Sequence, residues 1–171
     1  MSAPTIWTIG YEQATLDAVI GALKGAGVEV LADVRALPLS RRPGFSKTAL
    51  AGALAQAGIA YVHFKALGTP ADGRAAARAH DHAALERIYA GQLELPEAIA
   101  AGAQLHDLAQ EKRVALLCYE RAAPECHRPC CARRCCRNLR RWTWCRMADC
   151  EENGTRRSRV PGCALPARFL A

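Results

Sequence analysis

Residues that could do chemistry gather late in the chain's first three quarters, at Cys118-Tyr119-Glu120 and at Cys126-His127-Arg128. A thiol beside an imidazole is a nucleophile with an acid–base partner. If Cys126 opens a helix, it meets unpaired amide donors and the positive end of the helix dipole, which favour thiolate. Arg128 pushes the same way. Glu120 can act as a base or bind Arg128. The same letters also fit a plainer structure. In that one Cys126 is a small buried hydrophobe, His127 lies on the surface, Cys118 packs in the core and Glu120 is a solvated loop acid.

Asp33-Val34-Arg35 is a second constellation, with opposite charges on one face of an extended segment. Arg35 offers a fork suited to phosphate or carboxylate, oriented by Asp33; a pair that only shapes the loop is the competing reading. Ser40, Arg41 and Arg42 follow, as anion contacts or as a solvated basic loop. His63 reads as a structural histidine. The chain has no GxGxxG, P-loop, HExxH or GxSxG pattern, so no motif implies a nucleotide cofactor or a metal.

The elements that must position these residues can be read in order. Thr5–Ile9 is β-rich and ends at Gly10-Tyr11, which predicts strand one. Thr15 can cap a helix whose Leu16, Val19, Ile20 and Leu23 share one face, before Gly25 and Gly27 end it. Val28–Ala32 is strand two. Pro38, Pro43 and Gly44 mark a loop. Ser46 can cap a helix burying Leu50 and Leu54, with Gly58 as its stop. Ile59–Phe64 is strand three. Leu67–Pro70 opens an irregular polar stretch to about residue 80. Helices are expected at 82–90 and from Pro96 to Gln110. Arg113–Cys118 is strand four, apolar enough to be central. A last helix should run from Cys126 to Trp142, because Cys131, Cys135, Leu139 and Trp142 fall at helical spacing.

Strands alternating with helices predict a three-layer α/β fold, with a mostly parallel central sheet of about four or more strands and helices on both faces. In such sheets ligands sit outside the carboxyl ends of the strands. Those ends carry Gly10-Tyr11, Asp33 and Arg35, His63, and Cys118 through Arg128. A parallel sheet would therefore bring the two constellations to one edge.

Bulk composition divides the chain. Residues 1–127 hold 12 Lys+Arg against 13 Asp+Glu, whereas residues 128–171 hold 11 Arg against 3 acids. Eight of the nine cysteines lie at Cys126 or later. A secreted disulfide framework would spread its cysteines, so reduced thiols in a cytoplasmic protein are expected. No stretch of about 18 apolar residues exists to span a membrane, and no secretory leader is visible. The basic tail admits three readings. Cys130, Cys131, Cys135 and Cys136 could bind metal, although zinc sites favour CxxC spacing and none occurs. The arginines could grip nucleic acid. A reading-frame slip in a GC-rich gene would also produce Arg without Lys, clustered Cys and the close pair Trp142 and Trp144.

Thr8-Ile9-Gly10-Tyr11, Asp33-Val34-Arg35 with Pro38 and Ser40, Phe45, Tyr61, Leu67-Gly68, and Leu116–Glu120 followed by Cys126-His127-Arg128 together resemble the domain of unknown function family 488. The resemblance runs over residues 5–128 and divides the chain into an α/β domain at 1–128 and an Arg/Cys-rich segment at 129–171. It implies a compact α/β domain and a site built from Tyr11, Asp33, Arg35, Ser40, Tyr61, Glu120, Cys126, His127 and Arg128, and it supplies no substrate. After Arg128 the chain departs from the apolar helix that the family leads one to expect. Two functions follow as expectations. One is a thiol-dependent enzyme for a small anionic, phosphate- or nucleotide-like substrate. In it Cys126 is the nucleophile, His127 and Glu120 are acid–base groups, and Tyr11, Asp33, Arg35, Ser40, Tyr61 and Arg128 bind substrate without a cofactor. The other is a non-catalytic nucleotide or nucleic-acid binding module on the same edge.

Overall fold

A computed structural model describes residues 5–122, 126–136 and 140–143. Nine α-helices and β-strands precede the loop that leaves the central strand: β1 (Thr5–Gly10), α1 (Leu16–Gly25), β2 (Val30–Asp33), α2 (Lys47–Gln56), β3 (Ala60–His63), α3 (Ala71–Arg78), α4 (His82–Gln92), α5 (Pro96–Glu111) and β4 (Val114–Cys118). After it come α6 (Arg128–Cys135) and β5 (Arg140–Thr143). The strands form one parallel sheet in the order β3-β2-β4-β1-β5.

Alternation along the strands builds a core on each face. Val114 and Leu116 of β4 join Ile6, Ala32, Leu105 and Cys131 on the side covered by α4, α5 and α6. Ala115 and Leu117 join Ile9, Val19, Leu31 and Leu50 on the side covered by α1 and α2. All five β4 residues are buried, as its apolar run demands. No helix of the described residues is long and apolar enough to cross a membrane.

This layering fixes the location of the crevice. The chain leaves β1 and β2 toward the α1/α2 face, but leaves β4 toward the face of α6. Because β4 lies between β2 and β1, the connections diverge on both of its sides. A ligand crevice opens where neighbouring connections diverge in this way, here at the end of β4, where Cys118 sits. Gly10 pairs with Cys118 in register, and Asp33 with Leu117 and His63, so the residues of interest do share one edge.

Three local expectations need correction. Thr15 caps α1 through a bond from the Ala18 amide (3.2 Å), but Ser46 makes no capping bond at α2; its hydroxyl is not needed where backbone bonds begin the turn. The stretch after Pro70 is not irregular: it forms α3. That helix buries only Gly73, so its helical period had almost no apolar residue to mark it. The last helix stops at Cys135, and residues 140–143 pair with β1 instead. The outer edge of β1 carries unpaired amides and carbonyls that a strand satisfies and a helix does not. Residues 128–136 pack into the core through Cys131, Ala132 and Cys136. Cys145, Cys150, Cys163 and most of the stretch read as a frame slip lie outside the described residues.

Two close backbone approaches hold this edge together. A Cβ on Gly10 would meet the Glu120 carbonyl oxygen at 1.9 Å, and one on Gly68 would meet the Ala36 amide nitrogen at 2.2 Å. The loop leaving β4 thus crosses directly over Gly10, and the turn after β3 presses on the loop leaving β2. Gly10→Ala should therefore cost about 1–3 kcal/mol or more, because backbone cannot step aside as a side chain can. Gly21→Ala, on open helix surface, should instead stabilise by about 0.5–1 kcal/mol. Urea denaturation of the two variants checks the contrast.

Candidate functional site

Two layers of polar residues lie at the carboxyl edge, and they do different work. In the deeper layer Asp33 is fully buried and Arg35 nearly so. The Asp33 carboxylate receives Arg35 Nε at 2.8 Å, Arg35 Nη2 at 2.5 Å and the Arg35 amide at 3.0 Å. Tyr61 donates its hydroxyl to the same carboxylate at 2.6 Å. Arg35 Nη1 donates to the Tyr11 hydroxyl and to the Phe45 carbonyl, both at 2.9 Å. The Tyr11 ring stacks on Phe45 at 4.3 Å between centroids. Burial works against the Arg35 charge, and the Asp33 carboxylate more than offsets it. Tyr61 is pushed upward by burial and then by the carboxylate to which it donates. His63 Nε2 meets the Arg35 carbonyl at 2.8 Å, the structural role read for it.

This layer orders the site more than it presents groups to a ligand. A guanidinium has five N–H donors, and Arg35 commits four of them internally. Asp33 is saturated, and Tyr61 is not among the residues facing the cavity described below. Tyr11 and Ser40 do face it. Ser40 Oγ accepts the Arg42 amide at 3.1 Å, tightening the basic loop.

The upper layer is the thiol cluster. Cys118 ends β4, and His127 is the N-cap of α6, so Cys126 lies just outside the helix it was expected to open. Its sulfur receives the Arg128 amide at 3.4 Å and Arg128 Nε at 3.2 Å. The Arg128 side chain is fully buried. Its Nη2 donates to the Glu120 carbonyl and, at 3.5 Å, to the Arg121 carbonyl. Arg128 therefore ties the loop leaving β4 to the thiol and does not line the cavity. His127 Nδ1 stands 3.7 Å from both Cys118 Sγ and Cys126 Sγ. Its Nε2 meets the Val34 carbonyl at 3.1 Å, which must accept, so Nε2 carries a proton and Nδ1 faces the sulfurs. Glu120 Oε2 lies 2.8 Å from Cys118 Sγ.

Ionisation separates the two thiols. Burial pushes Cys126 up, but the Cys118 hydrogen bond, then the His127 and Arg128 charges, outweigh it and hold Cys126 well below an ordinary thiol. Cys118 is held well above by its hydrogen bond to Cys126, then by burial. Burial lowers His127, yet the negative Cys126 sulfur beside it wins and raises it. Glu120 is raised by burial and then by the Cys126 charge. The cluster thus favours a Cys126 thiolate beside a Cys118 thiol, with an imidazole that readily takes a proton.

Cys118, Glu120, Cys126 and His127 form one side of a cavity of about 350 Å³. Arg41, Arg42, Thr69 and Arg74 form much of the rest, with Tyr11, Arg35 and Ser40. Arg42 is anchored to the Ala14 carbonyl at 2.8 Å, and Arg74 to the Thr69 carbonyl at 2.8 Å. A larger cleft of about 420 Å³ between α4 and α6 holds none of these groups. There Arg133 pairs with Glu86 at 3.5 Å.

The ligand atoms of Cys118, Glu120, Cys126 and His127 all lie within 4.8 Å of one another, close enough for a divalent ion to bridge. The Cys126 sulfur, however, already takes two N–H donors and faces a guanidinium, so its charge is compensated within the protein. Among the described residues, Cys130, Cys131, Cys135 and Cys136 do not form such a group.

The sequence missed Thr69 and Arg74, since the segment that carries them seemed irregular. Cys118, which reads as core packing unless its side chain faces the sheet edge, does turn its thiol to Glu120 and His127.

A family model described as Domain of unknown function DUF488 matches residues 15–135. The match runs past Arg128 to the end of α6 and begins after Tyr11. No curated protein and no solved structure matches the chain.

If the deeper layer is architectural, its loss should be read in stability. Asp33→Ala leaves a buried, uncompensated guanidinium and should cost about 3–5 kcal/mol. Tyr61→Phe removes one hydrogen bond to a charge and should cost about 1.5–3 kcal/mol. The two losses should not add in the double variant, because Tyr61 acts through Asp33. Chemical denaturation of the single and double variants measures this.

Proposed function

We propose that this chain, which belongs to the DUF488 family, is a thiol-dependent enzyme acting on a small anionic substrate, with Cys126 as its nucleophile. One observation carries the reading. A thiol whose sulfur takes the Arg128 Nε–H at 3.2 Å opens onto a cavity that also holds Arg41, Arg42 and Arg74. The inner cation favours the reactive form of the nucleophile. The outer arginines suit a phosphate- or nucleotide-like group. A cavity of about 350 Å³ matches a small molecule.

In this reading Cys126 attacks an electrophilic centre of the bound anion. His127, protonated at Nδ1 by the pull of the thiolate, hands that proton to the leaving group. Glu120, raised by its buried setting, is a second acid–base group at the cavity. Tyr11 and Ser40 orient the substrate. Asp33, Arg35 and Tyr61 act as positioning residues for that wall, and Arg128 for the nucleophile. Nucleotide or nucleic-acid binding without catalysis would use the same outer arginines.

Alkylation of the reduced protein by iodoacetamide against pH tests the proposal. Cys126 should react with a midpoint well below the free-thiol value of about 8.5. Inorganic phosphate should slow the reaction. Arg42→Ala or Arg74→Ala should weaken that protection about tenfold, the worth of one charge-assisted hydrogen bond. An inert Cys126 would remove the nucleophile role. An inert thiol in a protein that still binds phosphate would favour the non-catalytic binding module.

A further inference from the structure

Cys118 has no role in the reaction just described, although it is buried at the same cavity. We propose that Cys118 is a second reacting thiol, which closes onto Cys126 to form an intramolecular disulfide after a hydroperoxide oxidises Cys126. This rests on the reading of Cys126 as a nucleophile.

Three observations carry it. The two sulfurs lie within 4.8 Å of each other, and a disulfide brings them to about 2.05 Å. Both sulfurs stand 3.7 Å from one imidazole nitrogen, so His127 can serve either. Glu120 Oε2 stands 2.8 Å from Cys118 Sγ, within reach to take its proton. A core cysteine needs no such partner.

The steps balance. The Cys126 thiolate attacks one peroxide oxygen; an S–O bond forms and the O–O bond breaks. The departing alkoxide or hydroxide takes the Nδ1 proton of His127 and leaves as alcohol or water. Cys126 is then a sulfenic acid, oxidised by two electrons, and the peroxide is reduced by two. Cys118 next gives its proton to Glu120 and attacks the Cys126 sulfur. The S–S bond forms and the S–O bond breaks. The hydroxide released takes the proton from Glu120 and leaves as water. Capture by a neighbouring thiol holds the sulfur at a reversible stage, short of sulfinic acid.

The test uses the full reduced chain and hydrogen peroxide at one equivalent. Remaining thiols are blocked, the protein is digested without reductant, and peptides are identified by mass. The proposal expects a Cys118–Cys126 linked peptide that dithiothreitol releases. In Cys118→Ala, which keeps a small apolar group in the buried site, dimedone should capture a sulfenic acid at Cys126. Further peroxide should leave about tenfold more Cys126 sulfinate than in the natural chain. Circular dichroism establishes that this variant is folded, and the linked peptide of the natural chain needs no variant at all. Sulfinate formed equally in both proteins would overturn the proposal, as would a Cys126 bridge to a cysteine other than Cys118. A zinc ion bound one to one that must be chelated before either thiol reacts would also overturn it. If Cys126 is alkylated at low pH yet never bridges, the second thiol fails and the nucleophile stands. If Cys126 neither alkylates nor oxidises, both fail.

Discussion

The buried guanidinium of Arg128 is the constraint on which the site depends. A cation removed from water must be hydrogen-bonded and compensated in charge. The Glu120 and Arg121 carbonyls supply dipoles but no charge. The Cys126 sulfur supplies charge when ionised, and Arg128 Nε points at it. Fold and chemistry are thus coupled at one residue. The bonds that pin the loop leaving β4 are the bonds that favour thiolate. Gly10 belongs to the same arrangement, since the carbonyl that Arg128 grips lies where its Cβ would be.

Around that point the sheet supplies location and the Asp33–Arg35 layer supplies rigidity. A central β4, with connections leaving to opposite faces on either side, opens a crevice at its own end. Asp33, Arg35, Tyr11, Phe45 and Tyr61 form a closed network that shapes one wall of the crevice while keeping nearly all its polar groups occupied. The thiol cluster above it lines the cavity with Cys118, Glu120, Cys126 and His127. This division separates residues that hold the wall from residues that, in the proposed function, react.

Much of the fold was legible from local pattern. The apolar run Val114–Cys118 read as a central strand, and Leu16, Val19 and Leu23 read as one helix face, because burial leaves a period in the sequence. Where burial left none, the reading failed. Helix α3 buries a single glycine. Strand β5 was hidden because the helical spacing of Cys131, Cys135, Leu139 and Trp142 continued past the point where the sheet edge claims the chain. The site was legible as an edge but not as a division of labour. Asp33 and Arg35 announce a pair by parity, whereas the partners that use up Arg35 stand 10 to 24 residues away. Cys118 looked like core because its neighbours are core; only its distance from Glu120 and His127 distinguishes it.

Ultraviolet thiolate absorbance followed against pH, in the reduced natural chain and in Cys126→Ser, tests the central claim most directly. The account predicts one thiolate at neutral pH in the natural chain that is missing from the variant. Equal absorbance in the two proteins until ordinary cysteines ionise, near a pH of about 8.5, would contradict it.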